Sequence, residues 1–160
     1  MIPRNSLVTI YKSFIRPHLD FGDFIYDKPN NNNLVQNIEA IQYNAALAIT
    51  GTIKGTSRDR LYQELGLESL SSRRWSRKLL AFHKYFTNKS PSYLYSIIPE
   101  VNLESRTRQN QNIPLLKTRT DAFKYSYIPN SIQECKKINV NIRNLPFTIF
   151  KNFLLKAIRP

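Results

Sequence analysis

The chain has 160 residues, of which 41% are hydrophobic, including nine phenylalanines and nine tyrosines. This length matches one ordinary domain, and the apolar side chains suffice for a buried core, which excludes a wholly disordered protein. The 24 lysines and arginines outnumber the 11 aspartates and glutamates, giving a formal net charge of +13. This balance predicts a polyanionic partner, RNA and/or DNA, although it also fits a generic soluble cationic fragment.

Several classes of protein are disfavoured by the composition. No apolar run approaches the roughly 18 residues of a membrane span, and the first residues lack the apolar segment of a secretory signal. We therefore expect no membrane partner and an intracellular protein, in the cytoplasm and/or nucleus. Cys135 is the only cysteine, which excludes an internal disulfide. With only His18 and His83 beside it, the chain offers too few soft ligands for a structural zinc site.

The first part of the chain has helical periodicity. Apolar residues between Asn5 and Arg16 predict a first helix that Pro17 closes, because the residue before a proline resists the helical conformation. Residues 17–26 are compatible with a short second helix. The sequence KPNNNN at 28–33 predicts a turn.

Two glycines then mark helix ends. An apolar stripe with alternating steps of four and three predicts a long helix from Leu34 that ends at Gly51. The next helix is expected to start at Thr56 or Ser57, whose side chains can accept hydrogen bonds from its first-turn amides, and to end at Gly66.

After Ser69 the pattern predicts a basic amphipathic helix. Its core side is formed by Leu70, Trp75, Leu79, Phe82 and Phe86. The remaining arc carries five cations: Arg73, Arg74, Arg77, Lys78 and Lys84. A further short helix is expected from Pro91 to the residue before Pro99.

The periodicity is lost beyond Pro99. Residues 99–112 are polar and basic and predict a linker. In residues 113–127 the alternation of Phe123, Tyr125 and Tyr127 with polar residues predicts a strand or extended ribbon. A small helix around 130–137 and a last helix after Pro146 follow. The fold class is thus mostly α: a helical bundle over 5–98, a linker over 99–112, and an appendage over 113–160 with a small β ribbon and a C-terminal helix.

Motifs for catalysis are poorly matched. Residues 51–57, GTIKGTS, contain the residues of a phosphate-binding P-loop in the wrong order and without a preceding strand. Asp20, Asp23 and Asp27 have a spacing that stacks carboxylates on one helical face, where they can hold a divalent metal or form a solvated acidic face; we favour the second. Cys135 has no histidine nearby in sequence, so a buried thiol is expected rather than a nucleophile. His83 is expected to pack at the edge of the core.

Four segments of the chain resemble a known family. They are IYKSFIRPHLDFGD at 10–23, IQYNAALAITGTIKGTSRDRLYQELGLESLSSRRW at 41–75, KSPSYLYSIIP at 89–99, and KTRTDAFKYSYIPNSIQE…IRN…IFKNFLLKAIRP within 117–160. Together and in this order they are similar to the carboxy-terminal region of reverse transcriptases encoded by non-LTR retrotransposons of the jockey type. The family often has tyrosine at the position of Phe21 and tryptophan at that of Cys135.

The resemblance implies a region that follows the palm and contributes the thumb and a basic carboxy-terminal segment, which hold template and primer. It implies the palm domain of the parent polymerase and RNA and/or DNA as partners. The paired catalytic aspartates of the palm have no counterpart, because no two acidic residues are adjacent in this sequence. We therefore expect no catalytic residue, no metal site and no enzyme activity in this chain alone. Mg²⁺ would act only in the intact polymerase.

The residues expected to bind nucleic acid are all cations. The segment at 51–57 is interpreted either as a hinge between two thumb helices, where Lys54, Arg58 and Arg60 surround a helix amino terminus that can bind a phosphate, or as a plain capped turn with solvent-facing charges. The full set is Lys54, Arg58, Arg60, Arg73, Arg74, Arg77, Lys78, Lys84, Arg106, Arg108, Lys117 and Arg119. Two alternatives stay open: a helix-turn-helix DNA-binding protein that uses residues 51–66, and a structural RNA-associated basic protein.

Overall fold

The computed structural model describes residues 2–23, 32–87 and 116–158. This part of the chain is mostly α-helical, as the sequence predicts. Its helices are α1 (Arg4–Ile10), α2 (Arg16–Asp20), α3 (Asn32–Thr50), α4 (Arg58–Leu65), α5 (Leu70–Phe86), α6 (Asp121–Lys124), α7 (Tyr127–Lys137), α8 (Val140–Arg143) and α9 (Phe147–Ile158). None of the helices within these residues combines the length and hydropathy that a membrane-spanning segment needs.

The described residues fall into two compact units. Those up to Trp75 belong to the first and those from Ser76 to Ala157 to the second, so the boundary lies within α5. The sequence instead places the boundary at the linker 99–112. That linker and the helix predicted before Pro99 lie outside the described residues.

The first helical segment does not end at Pro17. A π-helical segment, Tyr11–Ile15, joins α1 to α2, and the N–H of Arg16 donates to the carbonyl of Tyr11, five residues earlier. Pro17 therefore occupies the first turn of α2, where its missing N–H removes no helical hydrogen bond. The helical conformation continues through the wider π-helical turn and past Pro17. The prediction that the first helix ends at Pro17 is therefore wrong.

Glycines end α3 and α4 as predicted. The N–H of Gly51 donates to the carbonyl of Leu47 at 2.8 Å, and Gly51 has a φ of +69°. Gly66 has a φ of +59°, and the N–H of Leu67 donates to the carbonyl of Tyr62 at 2.8 Å. Both arrangements need the left-handed conformation that glycine adopts without steric cost.

The core of the first unit lies between α1, α3 and α4. Its buried residues are Tyr11, Ala46, Leu47, Leu61, Tyr62, Leu65 and Leu67. The predicted apolar stripe of α3 is not its buried face, because Leu34 and Ile41 are 42% and 47% exposed. The helix instead directs Glu39 and Gln42 inward, where both are buried.

These two polar side chains connect the elements of the first unit. Gln42 accepts a hydrogen bond from the hydroxyl of Tyr11 at 2.7 Å and donates to the carbonyl of Glu68 at 2.8 Å. Glu39 accepts from the hydroxyl of Tyr62 and from the N–H of Leu70, each at 3.0 Å. Satisfied buried groups of this kind fix the register of a helix, since an unpaired polar group in a core costs about 1–3 kcal/mol.

The second unit contains the later part of α5 and α6 to α9. Leu79 and Phe82 of α5, Ile132 of α7, and Phe150 and Leu154 of α9 are fully buried. The predicted last helix is thus confirmed as α9. His83 stacks on Phe150 with ring centroids 4.4 Å apart, and its Nε2 lies 3.1 Å from the carbonyl oxygen of Leu145.

The predicted ribbon at 113–127 is wrong where the structure describes it. Residues 121–124 form α6 and α7 begins at Tyr127, and no strand occurs within the described ranges. Thr120 caps α6, because its hydroxyl accepts a hydrogen bond from the N–H of Phe123 at 3.3 Å. Pro129 lies in the first turn of α7, where a proline is tolerated.

Candidate nucleic-acid interface

The segment from Gly51 to Ser57 is a short loop closed by its own hydrogen bonds. The hydroxyls of Thr50 and Thr52 lie 2.8 Å apart. The N–H and the hydroxyl of Thr56 both donate to the carbonyl of Ile53, at 3.3 Å and 2.8 Å. The loop follows helix α3 rather than a strand, so it is not a P-loop.

Tyr43, on α3, holds this loop through two hydrogen bonds of its hydroxyl. Its hydroxyl accepts a hydrogen bond from the N–H of Gly55 at 3.1 Å and donates to the carbonyl of Thr56 at 3.0 Å. The ring of Tyr43 packs against the core of the first unit. One side chain thus connects a helix of the core to the centre of the loop.

Three of the predicted cations surround this loop and the start of α4. Lys54, Arg58 and Arg60 are all exposed. The guanidinium carbon of Arg58 lies 5.8 Å from the centre of the Tyr43 ring, within the range of a cation–π contact. Asp59 is the one acidic residue in the first turn of α4, so the three cations keep a local positive excess.

The expected side-chain cap of α4 is absent. Ser57 occupies the N-cap position, but its side chain accepts no hydrogen bond from the first turn. The hydroxyl of Thr56 is used within the loop instead. The first-turn amides of α4 therefore keep their donors for another acceptor, and the helix dipole favours an anion there.

An open depression borders the loop on the side of α3. Gly51, Thr52 and Lys54 line it together with Asn44, Leu47 and Ala48. Asn44, Thr52 and Lys54 give the depression polar and basic groups, and Leu47 and Ala48 give it apolar ones.

The cations of α5 are in a different situation. The guanidinium of Arg73 makes a bidentate contact with Asp20, with Nε 3.1 Å from Oδ1 and Nη2 2.9 Å from Oδ2. A second carboxylate, from Glu68, lies 4.0 Å from Nη1. Burial opposes the charged form of Arg73, but the hydrogen bonds to Asp20 raise its pKa above the ordinary value. Arg73 is thus part of a structural ion pair.

Arg74 and Lys78 do not face solvent. They are only 5% and 4% exposed, which corrects the prediction that they lie on the exposed arc of this helix. Arg77 is half-buried, whereas Lys84 is exposed and holds its ammonium 5.2 Å above the centre of the Phe147 ring. The apolar residues of α5 identify one side of the helix that is buried. The buried face is wider than this side and also includes Arg74 and Lys78, two of the predicted phosphate-binding cations.

The remaining predicted cations belong to the last third of the chain. Lys117 and Arg119 are both exposed. Arg106 and Arg108 lie outside the described residues.

Two of the aspartates and the cysteine considered for catalysis are ion-paired or buried. Asp20 binds Arg73 and Asp23 is 6% exposed, while Asp27 lies outside the described residues. The described part of the chain contains no group of three or more His, Cys, Asp or Glu side chains that could hold a metal ion. Cys135 is buried as expected, and burial raises the pKa of its thiol to about 12.

Tyr43 is the residue of this site that the sequence alone does not identify. A tyrosine within a helical apolar pattern is indistinguishable from a core residue, and its two contacts to the loop depend on how the chain turns at Gly51. The positive φ of Gly55, +101°, marks the same turn. Comparison of the chain with protein-family models, with curated proteins and with solved structures finds no match.

Proposed function

We propose that this chain binds nucleic acid through its phosphates, without catalysis and without strong sequence preference. The observation that carries the proposal is the group of three exposed cations, Lys54, Arg58 and Arg60, around a helix start whose amides lack a side-chain cap. Lysine and arginine bind phosphate oxygens, and the amides of a helix start add donors of fixed direction.

The loop is suited to this role because it is ordered before any partner binds. The hydroxyl of Tyr43 and the internal hydrogen bonds of Thr56 hold the backbone between α3 and α4. A preformed site loses less conformational entropy on binding than a flexible segment does.

The net charge of +13 adds a long-range attraction to any polyanion. The resemblance to the carboxy-terminal region of jockey-type reverse transcriptases adds a biological setting: a thumb-like part of an RNA-directed DNA polymerase that holds template and primer beside its palm domain. In this setting the chain itself contributes binding and the palm contributes chemistry.

The test is the salt dependence of binding. Each neutralised phosphate of duplex DNA contributes a slope of about 0.9 in a plot of log affinity against log salt concentration. The triple variant Lys54→Gln, Arg58→Gln and Arg60→Gln should bind more weakly to every sequence and reduce the slope by up to about 2.7. Fluorescence anisotropy with labelled duplexes of different sequence measures both quantities.

A matched control removes the same charge elsewhere. Lys137, Lys151 and Lys156 are exposed lysines of α7 and α9, and their replacement by Gln should change the slope much less. Equal effects of the two triple variants would show that only the total charge matters. Tight binding to one sequence with a small salt slope would instead favour the helix-turn-helix alternative.

A further inference from the structure

Residues 117–125 carry a second basic surface, which belongs to the second unit and is exposed at Lys117, Arg119 and Phe123. We call Lys117, Arg119, Phe123, Lys124 and Tyr125 the Phe123 surface. Phe123 is 46% exposed, and Lys117 and Arg119 are exposed beside it in the chain. Asp121 is the one acid in this stretch, so the surface has a positive excess.

The exposure of Phe123 follows from the helical turn that replaces the predicted ribbon. In a strand, Phe123, Tyr125 and Tyr127 would share one face. In the structure, the hydroxyl of Tyr127 instead donates to the carbonyl of Lys78 at 3.4 Å, and its ring meets that of Tyr85 edge-on at 6.0 Å. Tyr127 thus anchors the segment to α5, whereas Phe123 keeps much of its ring in solvent.

The position of Phe123 is fixed by local hydrogen bonds. The hydroxyl of Thr120 accepts from the N–H of Phe123, and the hydroxyl of Ser126 donates to its carbonyl at 2.7 Å. The ammonium of the neighbouring Lys124 lies 5.4 Å from the centre of the Tyr125 ring. An aromatic ring on a fixed turn loses little entropy when a flat ligand stacks on it.

We infer that Phe123 is a stacking platform for an unpaired base of single-stranded nucleic acid, whose phosphates are bound by Lys117 and Arg119. This inference rests on the proposed function and deepens it by naming the strandedness of the ligand. The surface combines an exposed aromatic face with flanking cations, and an unpaired nucleotide offers the complementary pair of groups: a flat π-face and a negative charge. A base within a duplex presents no free face to the ring.

The experiment compares two single strands of equal charge. One is an oligothymidine of about twelve nucleotides, and the other has the same length and phosphates but only abasic sites. Phe123→Ala should bind the oligothymidine at least about fivefold more weakly and leave binding to the abasic strand and both salt slopes unchanged. Lys117→Gln with Arg119→Gln should weaken binding to both strands and reduce each slope by about 0.7 per lost contact. An oligouridine of the same length distinguishes RNA from DNA.

Three further variants test whether the effect of Phe123→Ala is merely structural. Phe153→Ala removes another partly exposed phenylalanine of the second unit, 36% exposed, and should leave binding to both strands unchanged. Phe123→Trp should retain binding, and its fluorescence should be quenched by the oligothymidine but not by the abasic strand. Phe123→Leu keeps the apolar volume without the π-face and should behave like the alanine variant.

The possible failures are distinguishable. If Phe123→Ala binds oligothymidine as tightly as the unmodified chain, the stacking inference is wrong while the proposed function stands. A loss that is equal on the base-bearing and the abasic strand also contradicts stacking. If the unmodified chain binds neither strand nor duplex DNA, the proposed function itself is wrong, and the stacking inference falls with it.

Discussion

A single hydroxyl, that of Tyr43, controls the geometry of the cationic loop. It bridges the N–H of Gly55 and the carbonyl of Thr56, two backbone groups on the loop between α3 and α4. The phenyl ring alone would still pack against the core, so the hydroxyl can be removed without leaving a large cavity. This separates the role of the loop geometry from the role of the core.

Tyr43→Phe is therefore expected to loosen the loop while the first unit stays folded. The lost hydrogen bonds should lower the free energy of unfolding by about 1–2 kcal/mol. Hydrogen exchange at the Gly55 amide should accelerate more than exchange in the middle of α3. Affinity for duplex DNA should fall although no charge is lost, so the salt slope should stay unchanged. Thr9→Val removes a hydroxyl that donates to the carbonyl of Asn5 within α1, and it serves as the control. Unchanged exchange at Gly55 would show that the hydroxyl does not hold the loop.

Burial also determines how the chain responds to alkaline pH. Burial is the main cause that raises the pKa of Tyr11 from its ordinary 10.0 to about 12. It likewise raises the pKa of Cys135 from 9.0 to about 12. In both cases the folded chain keeps a proton that the unfolded chain releases. The stabilisation is complete below the unfolded pKa and is lost as pH rises towards the folded pKa.

We expect the free energy of unfolding to begin to fall near pH 9, from Cys135, and more steeply from pH 10, where Tyr11 adds its effect. Urea unfolding at a series of pH values measures this profile. Tyr11→Phe loses the hydrogen bond to Gln42, so it should be less stable at neutral pH, but its stability should decline less between pH 10 and 12 than that of the unmodified chain. Parallel profiles for the two proteins would contradict a contribution from Tyr11.

At the scale of the secondary-structure element, α5 shows that a basic helical pattern does not by itself identify a phosphate-binding surface. Arg73 was predicted to bind phosphate, but its guanidinium is held by Asp20 with both side chains mostly buried, 25% and 13% exposed. A helix has one continuous surface, and whether a cation on it faces solvent depends on what packs there. The partner of Arg73 lies 53 residues away in the chain, beyond the reach of any local pattern.

Arg73→Gln should therefore affect stability more than binding. Removing the guanidinium leaves the half-buried Asp20 carboxylate without its main partner, which should cost about 1–3 kcal/mol of unfolding free energy. Arg60→Gln, at an exposed site of α4, should change stability by less than about 0.5 kcal/mol and weaken nucleic-acid binding instead. Chemical unfolding and anisotropy titrations of both variants measure this contrast. The reverse outcome, a stable Arg73→Gln with weakened binding, would restore α5 as a binding helix.

The helix ends were the most predictable part of the fold, because their signals are local. Gly51 and Gly66 end their helices through a positive φ that few other residues adopt. The first helix was predicted to stop at Pro17 because a wider turn before a proline has no sequence signature. The predicted ribbon is wrong at 123–127 because an alternation of three aromatic residues also fits two short helical turns, and the signals for these turns are Thr120, which caps α6, and Ser126 at the N-cap position of α7.

The candidate site was predictable only in part. The cations around α4 are exposed because their helix is short and polar apart from Leu61, Tyr62 and Leu65, which local periodicity identifies as its buried side. The burial of Arg74 and Lys78 and the anchoring of Tyr43 depend on contacts between distant segments. Tertiary packing determines these positions, and the periodicity within one helix contains no information about contacts with other segments.

At the scale of the whole molecule, the charge is distributed unevenly along the chain. Residues 1–80 have 11 basic and 7 acidic side chains, whereas residues 81–160 have 13 and 4. Four of the seven acids of the first half make structural contacts: Asp20 and Glu68 contact Arg73, Glu39 connects α3 to α4 and α5, and Glu64 pairs with Arg4. Ion pairing uses a cation for each acid, so the net positive charge is unchanged, and in the described residues exposed cations such as Lys54, Arg58, Lys117 and Arg119 carry part of it.

The surroundings of Asp20 and Asp23 also bear on whether the isolated chain can act as a polymerase. Polymerase chemistry needs carboxylates that converge on two metal ions from separate elements. In the described residues Asp20 is bound to Arg73, and Asp23 is buried at 6% exposure. With template, primer, nucleotides and Mg²⁺, the isolated chain should therefore extend the primer no faster than a blank, while gel-shift analysis of the same mixture should show the primer–template bound.

Primer extension that disappears in Asp20→Asn or Asp23→Asn but persists in Asp121→Asn would show that these carboxylates catalyse after all. Extension that all three variants retain would indicate a contaminating polymerase, and repetition after further purification should remove it.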